Sequence, residues 1–120
     1  FITSVDARAN AAEFVRILRP HGLALIAVPG PDDLLELRER IHGAKVEKFR
    51  SARVEKEFAR TFALLDRTTV REKATFELPA LHDLLRATYR GFRQSERAAV
   101  ESLTAMNVTL SHEVLAFRRR

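Results

Sequence analysis

The stretch LALIAVPGPDDLLELRERI, residues 23–41, decides the fold class of this 120-residue chain. Its first six residues, 23–28, are all apolar and do not alternate, so they predict a strand covered on both faces, as in a parallel sheet. A Pro-Gly-Pro corner at 29–31 then breaks the strand, because its glycine tolerates backbone angles that other residues avoid. We expect a helix to begin at Pro31, where a missing N–H is no loss, and to end at Gly43. Strand, corner and helix form half of a βαβ unit, and open α/β sheets bind ligands beyond the carboxyl ends of such strands.

Periodicity elsewhere in the chain predicts the remaining elements of an α/β fold. Apolar residues recur at helical spacing in further segments, and these are 10–19, 52–62, 81–88 and a helix that begins at Ser95. Residues 1–5 are β-branched and apolar, which indicates the stub of a strand. Alternating polarity after Asp66 predicts a strand that Pro79 closes, and 108–117 predict a last strand.

Composition narrows the possible classes of function. The formal net charge of +5 comes from 21 basic and 16 acidic residues, and it favours anionic partners through long-range attraction. The absence of cysteine excludes disulfides and cysteine zinc sites and fits a reducing cytoplasm. The four histidines show no ligand spacing, so we expect no metal. No apolar run approaches the roughly 20 residues that span a bilayer, so we expect no membrane contact and a cytoplasmic protein.

Two stretches resemble one family of enzymes. AAEFVRILRPHGLALIAVPGPDDLLELRERI, residues 11–41, resembles class I S-adenosylmethionine (SAM) methyltransferases, in which a helix ends in an L-K/R-P-G-G-like turn before the fifth strand. The corner and its L-x-E-L continuation are similar to the RlmA-type large-subunit rRNA guanine methyltransferases, which include macrolide-resistance enzymes. LHDLLRATYRGFRQSE, residues 81–96, also fits that family, with Ala87 and Tyr89 in place of its Met and Pro.

The resemblance implies a fold and a domain boundary. Residues 1–120 would be the carboxyl-terminal half of a single Rossmann-like domain, without the SAM-binding half that carries the glycine-rich loop. They would hold a stub of strand four, strand five, and antiparallel strands six and seven, with seven between five and six. The chain departs from the family at Asp33, where a histidine is usual, and at 6–8, where an aromatic-Ala-Pro is usual.

The resemblance also implies site residues, while no catalytic residue is predicted. Thr3, Ser4 and Val5 would approach the methionine end of SAM, largely through backbone; the alternative is a plain strand end. The residues implied for substrate binding are Pro29, Gly30, Asp33, Leu34, Thr88, Tyr89, Phe92 and Arg93. The alternatives are a stiff helix entry for the first four and a loop packed on its own domain for the others. Asp33 would be a general base or, as we favour, a partner of the helix dipole.

Two functions follow from these observations. The first is a fragment of a SAM-dependent methyltransferase that modifies an rRNA guanine or a related acceptor, inactive by itself and binding SAM weakly or not at all. The second is a non-enzymatic basic α/β module that binds RNA or a protein partner. In the half-domain, strand 23–28 has only a stub beside it, so we expect self-association of this fragment through an exposed strand edge or through exchange of an element.

Overall fold

The computed structural model describes residues 1–88 and 94–120, apart from the side chains of residues 88 and 94–96. Helices and strands alternate early in the chain, as the sequence predicts. In chain order the elements are β1 (Ile2–Val5), α1 (Ala11–Ile17), β2 (Leu23–Pro29), α2 (Leu35–His42), α3 (Arg50–Phe58), β3 (Phe62–Glu77), α4 (Leu78–Thr88), α5 (Gln94–Glu101) and β4 (Ala105–Arg119).

The four strands form one sheet in the order β1-β2-β4-β3. Strand β1 pairs parallel with β2, and β4 pairs antiparallel with β2. In this register Ile26 lies opposite Ser4 on one side and Leu115 on the other, and Pro29 lies opposite His112. The last strand therefore lies between the second and the third, which confirms the predicted topology.

The chain divides into two compact units, of which the first comprises 1–33, 48–71 and 111–120. Its core is an aromatic cluster in which Phe58 is central. The ring of Phe58 lies 5.4 Å from that of Phe14, 5.0 Å from that of Phe62 and 5.1 Å from that of Phe117. Ile26 of β2 packs in the same cluster, so the aromatic rings hold α1 and α3 against one face of the sheet.

The second unit comprises 34–47 and 72–110 and has a separate aliphatic core. The buried residues of that core are Leu34, Leu37, Leu81, Leu85, Val100 and Val108. Arg40 of α2 donates from Nε to the Ala99 carbonyl at 2.8 Å and from Nη2 to Ser102 Oγ at 3.1 Å. These bonds join α2 to the end of α5 beside the apolar contacts.

Helix α2 begins at Leu35, so the prediction that it begins at Pro31 was wrong. The left-handed backbone of Leu34, with φ of 52°, interrupts any helix before it. Hydrogen bonds to strand β4 hold the backbone in this non-helical conformation. The Leu34 N–H donates to the Thr109 carbonyl at 2.8 Å, and the Ser111 N–H donates to Oδ1 of Asp33 at 2.8 Å. Asp33 is therefore outside the first turn of α2, while the predicted end at Gly43 is confirmed.

Helix α3 ends at Phe58 and β3 begins at Phe62, so the helix predicted over 52–62 was wrong for its last four residues. The four-residue spacing of these two rings fits a helix, but both reach the aromatic cluster with a chain reversal between them. The Thr61 N–H closes that turn on the Phe58 carbonyl at 3.0 Å, and the Thr61 carbonyl accepts from the Arg120 N–H at 3.0 Å.

Candidate functional site

The carboxyl ends of parallel strands β1 and β2 bring Asp6 and His112 together. Asp6 directly follows β1, has a left-handed φ of 50°, and donates its N–H to the Ala27 carbonyl at 3.0 Å. His112 is placed there by its pairing with Pro29, the last residue of β2. Its Nε2 lies 2.9 Å and 3.1 Å from the two carboxylate oxygens of Asp6. A non-glycine residue with positive φ at this end of a sheet is typical of functional sites.

Asp33 contributes a second carboxylate at the same end of the sheet. Burial raises the pKa of Asp33, although the hydrogen bond from the Ser111 N–H and the charges of His112 and Arg50 act in the opposite direction. The negative charge of Asp6 adds to the increase. A half-buried carboxyl with a raised pKa, beside a second acid and a histidine, is suited to accepting a proton.

Gly30 is required by the close approach of β4 rather than by its own backbone angles. A Cβ built on Gly30 would lie 2.1 Å from Ser111 Oγ and 3.0 Å from Ser111 Cβ. The Gly30 N–H donates to the Ser111 carbonyl at 2.8 Å, so the two backbones pair at this point. The corner thus positions Asp33 by packing tightly on β4.

The other two acids near the corner have structural partners. Asp32 Oδ2 accepts from Arg71 Nε at 2.6 Å; burial alone would raise the pKa of Asp32, but this bond and the arginine charge lower it. Glu36, the acid of the L-x-E-L sequence, accepts from the Thr109 N–H at 2.9 Å and from Thr109 Oγ1 at 2.5 Å. Burial opposes these bonds, and the pKa of Glu36 is lowered overall. Both residues therefore hold the fold.

The residues predicted for cofactor binding lie on the edge strand β1. Thr3 and Val5 are exposed and Ser4 is half-buried. In the part of the chain that the structure describes, β1 pairs with β2 only, so its outer edge presents backbone N–H and C=O groups. Backbone contact of the predicted kind is geometrically open to these residues, and their role stays a prediction.

The predicted substrate residues are not all in one place. Pro29, Gly30 and Asp33 lie at the corner, whereas Leu34 is 6% exposed and its side chain belongs to the aliphatic core of the second unit. Thr88 is the last residue of α4. Its side chain, together with Tyr89, Phe92 and Arg93, lies outside the described residues. Their roles also stay predictions.

Asp6 and His112 were missed as site residues because they are 106 positions apart in sequence. A signal for each was present. Asp6 is the first polar residue after the strand stub, and His112 is the residue that an antiparallel partner strand places opposite the end of β2. Among residues 1–88 and 94–120, no group of three or more His, Cys, Asp or Glu could hold a metal ion. Within the same residues, no helix is long and apolar enough to cross a membrane.

Comparison with known proteins identifies methyltransferases. No protein-family model matches the chain. A protein of Micromonospora griseorubida named "Putative 23S rRNA (guanine-N(1)-)-methyltransferase" is 33% identical over 72 residues, which are 60% of this chain and 24% of that protein. The crystal structure of "a putative methyltransferase" from Bacillus halodurans C-125 matches with a TM-score of 0.54 at 12% identity, over 90% of this chain and 55% of that one. The MccD protein structure matches with a TM-score of 0.44 at 12% identity, over 91% of this chain and 52% of that one.

The chain matches parts of longer proteins. The chain spans about a quarter of the length of the curated relative and about half of the solved structures. One parallel pair followed by an antiparallel last strand inserted beside β2 is the arrangement that the family resemblance implies. The chain therefore has the fold of the carboxyl-terminal part of a class I methyltransferase.

Proposed function

We propose that this chain is the carboxyl-terminal half of a SAM-dependent methyltransferase that acts on a guanine of large-subunit rRNA. The observation that carries the proposal is the group formed by Asp6, His112 and Asp33 at the carboxyl ends of β1 and β2. The name of the Micromonospora relative supports the choice of acceptor. The glycine-rich half of the domain would be encoded upstream of Phe1.

The proposed reaction requires a proton acceptor beside the methyl acceptor. SAM supplies a methyl group on a sulfonium; the C–S bond breaks as a bond forms to a ring nitrogen, and that nitrogen releases its proton. The enzyme mainly aligns the two reactants. In the tautomer whose Nε2–H donates to Asp6, Nδ1 of His112 is an acceptor. We propose that Nδ1 of His112 accepts the proton that the ring nitrogen releases. The Asp33 carboxylate is the second candidate for this acceptor.

The backbone of β1 would hold the cofactor on this side. Thr3, Ser4 and Val5 offer an unpaired strand edge that runs directly into Asp6, so a ligand on that edge would lie beside the Asp6–His112 pair. An edge of alternating donors and acceptors suits the amino and carboxylate groups of a methionine moiety.

The first test is to read the gene upstream of the codon for Phe1. A strand followed by a turn with a G-x-G sequence and a helix is the expected result. An unrelated upstream region would contradict the half-domain and would favour the basic α/β module that binds RNA or a protein.

The second test is transfer of labelled methyl from SAM to rRNA by the product of the complete reading frame. For His112→Gln we expect kcat to fall by roughly 10²–10⁴ with KM for RNA little changed, since only proton transfer is removed. Asp6→Asn should have a smaller effect in the same direction. Arg118→Gln, on an exposed residue of β4, is the control. Wild-type kcat in both His112→Gln and Asp33→Asn would overturn the assignment of the base. Transfer to a small molecule and not to RNA would overturn the choice of substrate.

A further inference from the structure

A cavity of about 510 Å³ lies in the first unit, next to the loop that follows β1. Its lining includes Arg8 from that loop and Arg50, Arg53 and Glu57 from α3. The volume is within the range of about 300–1,000 Å³ that ligand sites occupy. Three arginines on one cavity of this size indicate an anionic occupant.

The three arginines have no close carboxylate partner. Within the described residues, neither Arg8 nor Arg50 nor Arg53 has a carboxylate within ion-pair distance, whereas Arg16, Arg67 and Arg71 each do. The charge of Arg50 acts on the Asp33 carboxyl from beyond that distance. Glu57, the one acid among the lining residues, accepts a hydrogen bond from the Ala11 N–H at 3.2 Å; with three arginines and one glutamate, the lining has a net charge of +2. The guanidinium groups are therefore available for a ligand, and their planar fork of donors matches phosphate oxygens.

One side of helix α3 lines the cavity, with Arg50, Arg53, Val54 and Glu57 at helical spacing along it. The backbone N–H of Arg50, the first residue of this nine-residue helix, donates to the Lys48 carbonyl at 3.1 Å. The donors that this helix offers to a ligand in the cavity are therefore the guanidinium groups of Arg50 and Arg53.

The cavity is next to the candidate site. Arg8 is two residues from Asp6, hence no more than about 7 Å away along the backbone. Arg50 is near enough to Asp33 for its charge to act on the pKa of that carboxyl. A strand whose base reaches Asp6 and His112 would therefore bring a neighbouring phosphate to Arg8 and Arg50.

We infer that the cavity lined by Arg8, Arg50 and Arg53 binds a backbone phosphate of the RNA strand that presents its base at the Asp6–His112 pair. The inference rests on the proposed function, because it takes the strand to be the substrate. The cavity would then set which nucleotide of the strand reaches the site, since phosphate contacts fix register without reading sequence.

The test compares two double variants of the 120-residue chain that change the net charge equally. Arg8→Gln with Arg53→Gln removes two cavity arginines, while Arg16→Gln with Arg118→Gln removes two exposed arginines outside the cavity. Binding of a short hairpin RNA is followed by fluorescence anisotropy as salt is raised. We expect the cavity variant to bind roughly tenfold more weakly at low salt, with the slope of log Kd against log salt reduced by about 1 to 2. The control should lose no more than about twofold. Equal losses in the two variants would overturn the inference.

Two further arms identify the source of the phosphate. Arg8→Lys with Arg53→Lys keeps the charge, so the salt slope should persist while affinity falls with the loss of the fork. In NMR titrations, the RNA should shift the backbone amides of residues 50–54, and inorganic phosphate should do so only at much higher concentration. Saturation by inorganic phosphate that RNA does not displace would assign the cavity to a small phosphate ligand and overturn the inference.

The inference and the proposed function fail separately. In the complete gene product, cavity-dependent RNA binding without methyl transfer would contradict the function and leave the phosphate site. Methyl transfer to rRNA that is unchanged in the Arg8→Gln, Arg53→Gln variant would contradict the phosphate site and leave the function.

Discussion

Replacing Gly30 with alanine should destabilise the first unit through one identifiable clash. The new methyl group would lie 2.1 Å from Ser111 Oγ and 3.0 Å from Ser111 Cβ, and both distances are shorter than ordinary contact. Gly30 has no positive φ, so the backbone itself accepts alanine. Rotation of the Ser111 side chain can move Oγ away, but the contact with Cβ requires β2 and β4 to separate slightly where the Gly30 N–H bonds to Ser111. Overpacking of this kind costs about 1–3 kcal/mol.

Replacing Ser111 with glycine should restore the stability that Gly30→Ala removes. With Ser111→Gly, the closest remaining atom to the new methyl is the carbonyl carbon of residue 111 at 3.4 Å, an ordinary contact. Ser111→Gly alone should cost about 0.5–1 kcal/mol, because glycine weakens a strand interior. The double variant should then be more stable than the sum of the single effects by about 1–2 kcal/mol. Ser111→Ala, which leaves Cβ in place, should rescue less.

Urea unfolding followed by circular dichroism measures all the variants, with Gly43→Ala as the matched control. A Cβ on Gly43 meets nothing within 4 Å, but φ there is 76°. Its cost of about 1 kcal/mol comes from left-handed backbone strain and should not respond to Ser111→Gly. Additive effects of Gly30→Ala and Ser111→Gly, within about 0.5 kcal/mol, would refute the steric explanation.

Three further measurements test the electrostatics, the cofactor and the assembly. Because the folded-state pKa of Glu36 lies below its ordinary value of 4.5, its carboxylate stabilises the fold above pH 4.5, and this contribution is lost as pH falls through the folded pKa. Glu36→Gln should therefore lower the urea midpoint at pH 7, with the difference vanishing in acid; an equal difference at both pH values would contradict this. Calorimetry should show weak or absent SAM binding to the 120-residue chain, because the proposed half-domain would have its glycine turn and ribose-binding acid in the other half, and micromolar binding would oppose a split site. Sedimentation at micromolar concentration should show self-association, since β1 presents an unpaired edge; a stable monomer would count against the half-domain.

The elements that the sequence predicts well are those whose causes are local. The apolar run before Pro29 and the stop at Gly43 are set by residues within a few positions, and both are found. The start of α2 is set by hydrogen bonds from strand β4, 78 positions away in the case of Asp33 and Ser111, and helix propensity at Pro31 contains no information about them. Aromatic spacing at Phe58 and Phe62 likewise fits both a helix and a reversal, and only the common core decides between them.

The candidate site depends both on the local sequence pattern and on strand pairing between residues that are distant in sequence. The position of the corner at the carboxyl end of β2 follows from the local sequence pattern and the general behaviour of α/β sheets, so the sequence predicts that Asp33 lies there. The Asp6–His112 pair requires the register of β4 on β2, which periodicity does not supply. Histidine in an alternating strand gives no local sign of its partner, and the carboxylate that orients it comes from the other end of the chain.

Strand β2 is apolar on both faces, and this pattern bears on the proposal that the chain is half of a domain. Side chains on one face of β2, including Ile26, are buried against the aromatic cluster, as expected for one covering layer. On the other face Leu23 and Leu25 remain 43% and 38% exposed, and Val5 of the adjoining strand is 65% exposed. The prediction that both faces are covered is therefore wrong for the residues that the structure describes. A strand with alternating polarity needs a covering layer on its apolar face only. Strand β2 does not alternate, so burying its second face would stabilise the protein by about 25 cal/mol per Å² of apolar surface. The pattern thus supports the proposal that a further part of the domain packs on this face, and the register of β4 on β2 places His112 on the same side of the sheet.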